Sequence, residues 1–171
     1  MQNKALGIVQ PTYLPWTNFF LRAVISDFFV LLDDVEYSKN NYFNRNSITC
    51  KNKNLLLTVP VLYSDGSKQK INEIKIDNKQ NWKKKHWLSI YQNYKKTKYF
   101  NLLGKSLEQV YFSKCDKLVD LNIKLIKIFF NYFEINQKIR LSSEFLLNSV
   151  SNNKIIEICN LLNTDNFIVK E

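Results

Sequence analysis

The sequence predicts an α/β fold, a Rossmann-like, mostly parallel sheet with a C-terminal helical lobe, and three observations carry that expectation. The chain opens strand–helix–strand, a crossover that implies two neighbouring parallel strands. Strand-like segments fill the first half and amphipathic helical segments the second. The 171 residues, 45% of them hydrophobic, suit one core, and no internal repeat or linker divides 1–171 into more than a single domain.

Residues 4–9 (KALGIV) are apolar and run into Gln10-Pro11, a buried strand ending at a proline. Pro15 fits the first turn of a helix, and Trp16, Phe19, Phe20, Ala23 and Val24 recur at helical spacing. Ser26-Asp27 breaks that pattern, and FFVLLDDV at 28–35 reads as a second buried strand closing on two acids. Residues 36–47 are polar, aromatic and rich in asparagine, hence a loop. LLLTVPV at 55–61 is a strand, SDGSKQK at 64–70 a turn around Gly66, and EIKI at 73–76 alternates as a half-exposed strand should. Helical segments follow at 79–94, 98–112 and 116–133. KIRLSSE at 138–144 is a short strand and turn. Ser151-Asn152 caps a last helix with Ile155, Ile156, Cys159 and Leu162 on its apolar side, and FIV at 167–169 is a final strand.

Composition narrows the function classes. The net charge is +10, yet 22 of the 25 basic residues are lysines, and asparagine abounds, as in proteins from AT-rich genomes. Without clustered arginines or repeated stacking aromatics, no nucleic acid partner is expected; an anionic small molecule suits the field better. No apolar run reaches 18 residues, so no membrane span is expected. The N-terminal apolar stretch is too short for a signal peptide, which makes the cytoplasm the expected location. Cys50, Cys115 and Cys159 are widely spaced with no CxxC pair and read as reduced structural thiols, with no metal site. Neither GxGxxG nor GxxxxGK[ST] is present, so the sequence names no cofactor.

Six segments carry candidate chemistry. Gln10, Tyr13 and Trp16 stand between the first strand and first helix, where open α/β sheets bind ligands; packing of the two aromatics onto the core is the alternative. Asp33 and Asp34 end the second strand. Side chains alternate there, so one turns toward any crevice and the other away, and the pattern leaves open which. A carboxylate at that place can bind a hydroxyl or act as a base, or it can serve turn chemistry. Lys39 and Asn44-Arg45-Asn46 follow; arginine is rare in this chain, and its fork suits a carboxylate or phosphate or a salt bridge to the aspartates.

Farther on, Trp82, His86, Ile90 and Asn93 share one helical face beside Lys83–Lys85. His86 is the lone histidine and so the ordinary proton-transfer candidate near neutral pH, with Lys85 and Asn93 grouped with it for binding; a satisfied core histidine is the alternative. Asn122 lies on an apolar arc and must find partners, most simply by tying down a loop. Ser142 and Ser143 can bind phosphate at a strand end, or cap a helix with Glu144.

Taken in order, these motifs resemble the WbqC-like family. The correspondence runs through Ile8 to Trp16, Phe29 to Asp34, Asn44 to Asn46, Thr58 to Val61, Trp82 to Trp87, Asn93 to Lys96 and Ser142 to Glu144, which spans essentially the whole chain. The family's histidine before Gln-Pro is Val9 here. The family pattern also continues some tens of residues past Val169, an extension this chain is expected to lack. The resemblance implies work on bacterial surface polysaccharide, lipopolysaccharide O-antigen or a similar glycan. It implies a transferase acting on a nucleotide-activated sugar or glycan precursor, with His86 and Asp34 for proton transfer and the other named residues for binding. The alternative is a non-catalytic or degenerate module that binds such a precursor or a partner enzyme, which Val9 favours.

Overall fold

The computed structural model describes residues 4–51, 53–64, 66–149, 151–164 and 166–168. Along the chain the elements are β1 (Ala5–Val9), α1 (Thr17–Ile25), β2 (Phe28–Leu31), β3 (Arg45–Cys50), β4 (Lys53–Thr58), β5 (Val61–Leu62), β6 (Lys75–Ile76), α2 (Trp82–Tyr94), α3 (Phe100–Phe112), α4 (Leu118–Tyr132), β7 (Ile139–Leu141), α5 (Ser151–Leu161) and β8 (Asn166–Ile168), with 3-10 turns at Ile71–Glu73 and Ser142–Phe145. Four strands form one parallel sheet in the order β7-β2-β1-β8. This is the α/β architecture expected, with the long helices in the second half of the chain. Val169, the last residue of the predicted final strand, lies outside the described residues.

The order of strands fixes where the helices go. From β1 to β2 to β7 the chain steps one way across the sheet, and from β7 to β8 it steps back past both. Right-handed crossovers place helices of opposite steps on opposite faces. Accordingly Phe19, Phe20 and Ala23 of α1 and Ile126 and Phe130 of α4 pack on Phe29 and Leu31. On the other face Ile158 and Leu162 of α5 pack on Leu6, Ile8 and Val30. Strands covered on both faces need apolar residues at every position, which is why β1 and β2 read as unbroken runs. Gly7 allows the close approach of the segment after α1, since a Cβ there would stand 2.8 Å from the Ser26 hydroxyl.

Between β2 and β7 the chain makes a long excursion. It contains the antiparallel pairs β3–β4 and β5–β6 and the helices α2, α3 and α4, around a second core that includes Tyr13, Val59, Ile74, Trp82, Leu107 and Tyr111. Helix α4 belongs to both cores: Leu118, Leu121 and Leu125 face the excursion, while Ile126 and Phe130 face the sheet.

Several boundaries differ from the sequence expectation, among them the strand expected at 55–61, which divides into β4 and β5. The loop at 36–47 ends early, because Arg45 and Asn46 already belong to β3, a strand that carries Ile48 as its one aliphatic residue and pairs with the leucines of β4. The strand expected at 73–76 is half 3-10 turn; the Glu73 carboxylate accepts the Lys70 N–H at 2.9 Å and closes that turn, leaving only Lys75–Ile76 extended. Strand β2 stops at Leu31, before the acids. Among the described residues no helix is long and apolar enough to cross a membrane, and no cluster of three or more His, Cys, Asp or Glu could hold a metal ion.

Candidate functional site

The strand order reverses beside β1, and ligands in open α/β sheets bind outside the carboxyl ends of the strands at such a point. A cleft of about 450 Å³ opens there, a volume suited to a small organic ligand. Its floor is apolar, formed by Ile8, Val9, Phe19, Leu32 and Ile155. Gln10, Thr12, Asn18, Asn41 and Asn46 supply neutral polar groups, and Trp16 and Tyr42 supply aromatic surface. The rings of Trp16 and Tyr42 meet edge-on with centroids 4.6 Å apart, and Trp16 keeps 56% of its surface exposed. The charged side chain in the lining is Arg22. Val9, where the family pattern has histidine, stands in the floor.

Two loops form the walls, and buried amides hold them. Asn46 donates to the carbonyl of Leu14 at 2.6 Å and accepts the Trp16 indole N–H at 2.8 Å. Leu14 sits at a φ of 47°, a left-handed conformation that costs a leucine about 1–3 kcal/mol and persists only when its surroundings impose it. The Tyr13 N–H donates to the Tyr42 carbonyl at 2.9 Å, joining the loops backbone to backbone. Behind them Asn122 donates to the carbonyls of Pro11 at 3.0 Å and Phe43 at 2.8 Å, the loop-tying role its place on α4 suggested.

Asp33 and Asp34 do stand at the sheet's carboxyl end, but both are engaged. The Asp33 carboxylate accepts from the Ser143 N–H at 2.9 Å, the Ser143 hydroxyl at 2.7 Å and the Asn72 amide at 3.2 Å. The Ser142 hydroxyl accepts the Asp33 N–H and donates to Asp34. Asp34 also pairs at 2.6 Å with Lys154 in the first turn of α5, with little of either side chain exposed. Burial pushes the Asp34 carboxyl up, yet hydrogen bonds from Lys154 and Ser142 and the lysine charge outweigh it and hold the group below its ordinary value. Ser142 and Ser143 therefore clasp β7 to β2. Lys154 escaped the sequence reading, although a signal existed: it heads an i, i+4 row with the apolar Ile158 and Leu162.

His86 does not line the cleft. It is buried, with Nδ1 2.8 Å from the hydroxyl of Tyr13, which in turn lies 2.5 Å from the hydroxyl of Tyr111. Burial depresses the imidazole to about 4, with a backbone interaction at Thr58 pulling the other way. At neutral pH the ring is uncharged, and Nδ1 and the two phenol oxygens form one hydrogen-bonded chain. Burial raises both phenols above their ordinary value. Tyr13 thus faces the interior, joining the first loop to α2 and α3.

The remaining candidates disperse. Asn44 turns inward and donates to the Val59 carbonyl at 2.8 Å. Arg45 binds Asn40, by Nη1 to Oδ1 at 3.0 Å and by Nη2 to the carbonyl, and pairs with neither aspartate. Lys39 lies over the Tyr63 ring at 5.6 Å, Lys85 is exposed on α2, and Asn93 donates to the Ser89 carbonyl at 2.8 Å. Of the residues singled out by sequence, the structure brings Gln10, Trp16 and Asn46 together in the cleft. Thr12, Asn18, Arg22, Asn41 and Tyr42 join them unforeseen; Asn18 and Arg22 are four apart on α1, and Arg22 shares the rarity that marked Arg45.

Comparison with known proteins gives the lineage. The model of the WbqC-like protein family matches residues 10–171. The chain belongs to the WbqC-like protein family. A relative of this WbqC-like protein is the uncharacterized protein Rv1507c of Mycobacterium tuberculosis (strain ATCC 25618 / H37Rv), 29% identical over 157 residues that span 91% of this chain and 68% of that protein. No solved structure matches.

Proposed function

We propose that this WbqC-like protein binds a nucleotide-activated sugar or glycan precursor in the cleft beside β1 and acts on it as a transferase in bacterial surface-polysaccharide biosynthesis. The observation that carries the reading is the cleft's lining: an exposed Trp16–Tyr42 wall on which a ring can rest, the neutral polar side chains of Gln10, Thr12 and Asn18 suited to hydroxyls, and an apolar floor. Transfer in such a place rests on holding donor and acceptor in a reactive geometry.

One observation favours a second reading, a module that binds the precursor without turning it over. Among the described residues the cleft lining contains no carboxylate, imidazole or thiol, His86 is held neutral within the fold, and Asp34 is committed to Lys154. Thermal shift with UDP-glucose, dTDP-glucose and GDP-mannose, followed by product analysis with amine and hydroxyl acceptors, separates the two. A ligand at about one hundred times its Kd stabilises by about 2.7 kcal/mol, a clear rise in Tm. Binding with turnover supports the transferase, binding without it supports the module, and no binding at millimolar concentration rejects both.

A further inference from the structure

We propose that Arg22 is the anion-binding residue of this cleft, and that the ligand carries a phosphate or carboxylate joined to the ring that rests on Trp16 and Tyr42. The inference builds on the cleft reading above. Three arginines occur in the chain. Arg45 is spent on the Asn40 turn, and Arg140 lies over the Phe145 ring at 4.7 Å. Arg22 is half-buried in the cleft wall and makes no hydrogen bond or ion pair with a described residue. A guanidinium offers five N–H donors in a rigid fork, and with no described side chain taking them they stay open to an anionic ligand that displaces water.

Its place on α1 strengthens the assignment. Asn18 and Arg22 are four residues apart and therefore share a helix face, and both line the cleft. A basic residue in the last turn of a helix commonly serves the negative end of the dipole. Side chains on a helix tilt toward its N-terminus, however, so Arg22 reaches back from those carbonyls to the end of α1 where the cleft opens. As the charged member of the lining, it gives the cleft a polarity: oxyanion at Arg22, ring at Trp16 and Tyr42, hydroxyls at Gln10, Thr12 and Asn18.

The assignment is tested by isothermal titration of the intact protein with UDP-glucose, dTDP-glucose and GDP-mannose as phosphate probes and with glucuronate as a carboxylate probe. Arg22→Gln is expected to fold with an unchanged Tm and to weaken the responsive probe roughly 10- to 100-fold, the range for a charge-assisted hydrogen bond. Arg22→Lys is expected to recover only part of that loss, because an ammonium lacks the fork. Response to the nucleotide sugars alone assigns phosphate, and response to glucuronate alone assigns carboxylate. Trp16→Ala serves as the cleft control. If Trp16→Ala abolishes binding while Arg22→Gln leaves it unchanged, Arg22 is a surface cation serving the helix end and the cleft reading stands. If no probe binds, or neither variant alters binding, the cleft reading falls and the Arg22 assignment with it.

Discussion

Lys154→Met removes the cation that faces Asp34 across 2.6 Å, in a site where the two side chains keep only 6% and 9% of their surface. Two bounds set the magnitude. Breaking a buried ion pair by deleting one partner costs about 3–5 kcal/mol. The stranded carboxylate can instead take up a proton, and near pH 7 that costs about 4 kcal/mol, counted from its ordinary value of 3.8 at about 1.4 kcal/mol per pH unit. Asp34 keeps the Ser142 hydroxyl and some contact with water, so the expected loss is about 2–4 kcal/mol. The pH dependence is diagnostic. In the native protein the folded value of Asp34 is depressed, so its contribution is present above 3.8 and is lost as pH falls through the folded value. In Lys154→Met the folded value rises instead, and the penalty of the substitution is full near neutrality and fades as pH falls toward 3.8. Urea unfolding of both proteins should show a loss of about 2–4 kcal/mol near pH 7 and under about 2 kcal/mol near pH 5. His86 is common to both and cancels. A loss below about 0.5 kcal/mol at neutral pH, or an equal loss at both, would refute the reasoning and mark the pair as screened by solvent.

Other outcomes follow from the same geometry. His86 has a folded value near 4 against 6.5 unfolded, so native stability is full above 6.5 and declines by up to about 3 kcal/mol as pH falls through that window; a urea series against pH should show this, and His86→Gln should flatten it. Asn122→Leu removes both bonds that hold Pro11 and Phe43 and should cost about 1–3 kcal/mol by urea unfolding, with weaker ligand binding in the cleft; an unchanged midpoint would deny its tying role. Val9→His places an imidazole in the cleft floor. Provided Tm is retained, it should raise transferase turnover by up to about 10²–10⁴-fold if the family's histidine moves a proton, and a variant that binds without any gain counts against that role.

What the sequence disclosed and what it hid divide along a physical line. Contiguous apolar runs announce a doubly covered strand, so β1, α1 and β2 were legible from their own residues, as was the placement of Gln10 and Trp16 at the strand's carboxyl end. The fate of each polar side chain depended on partners far away in the chain. Asp34 meets Lys154 at a separation of 120 residues, and His86 meets Tyr13 at 73. Alternation predicts that the two aspartates diverge, yet β2 ends at Leu31 and both meet the Ser142 hydroxyl, and no local rule told that both are consumed. The Asn44-Arg45-Asn46 motif shows the same limit in three adjacent positions. One side chain turns into the β-hairpin, one closes a turn five residues back, and one braces the cleft. Arg22 carried a legible mark, its rarity and its i, i+4 pairing with Asn18; what was hidden was that this face of α1 fronts a cleft.

The parallel sheet places β1 in the interior between β2 and β8, so one flank pairs with residues 28–31 and the other with residues 166–168. One flank of this strand therefore waits for a segment far along the chain. During synthesis β1 and β2 can pair early, but the second edge of β1 stays open until residues 166–168 have been made. Long-range pairings of this kind are entropically expensive to close and slow to form. An open, apolar parallel edge is also the kind of surface that aggregates while it waits. The cleft inherits this timing, because its floor includes Ile8 from β1 and Ile155 from α5. Binding competence then waits for α5, and premature termination before α5 would yield a chain with its first loop made and the Ile155 part of its floor missing.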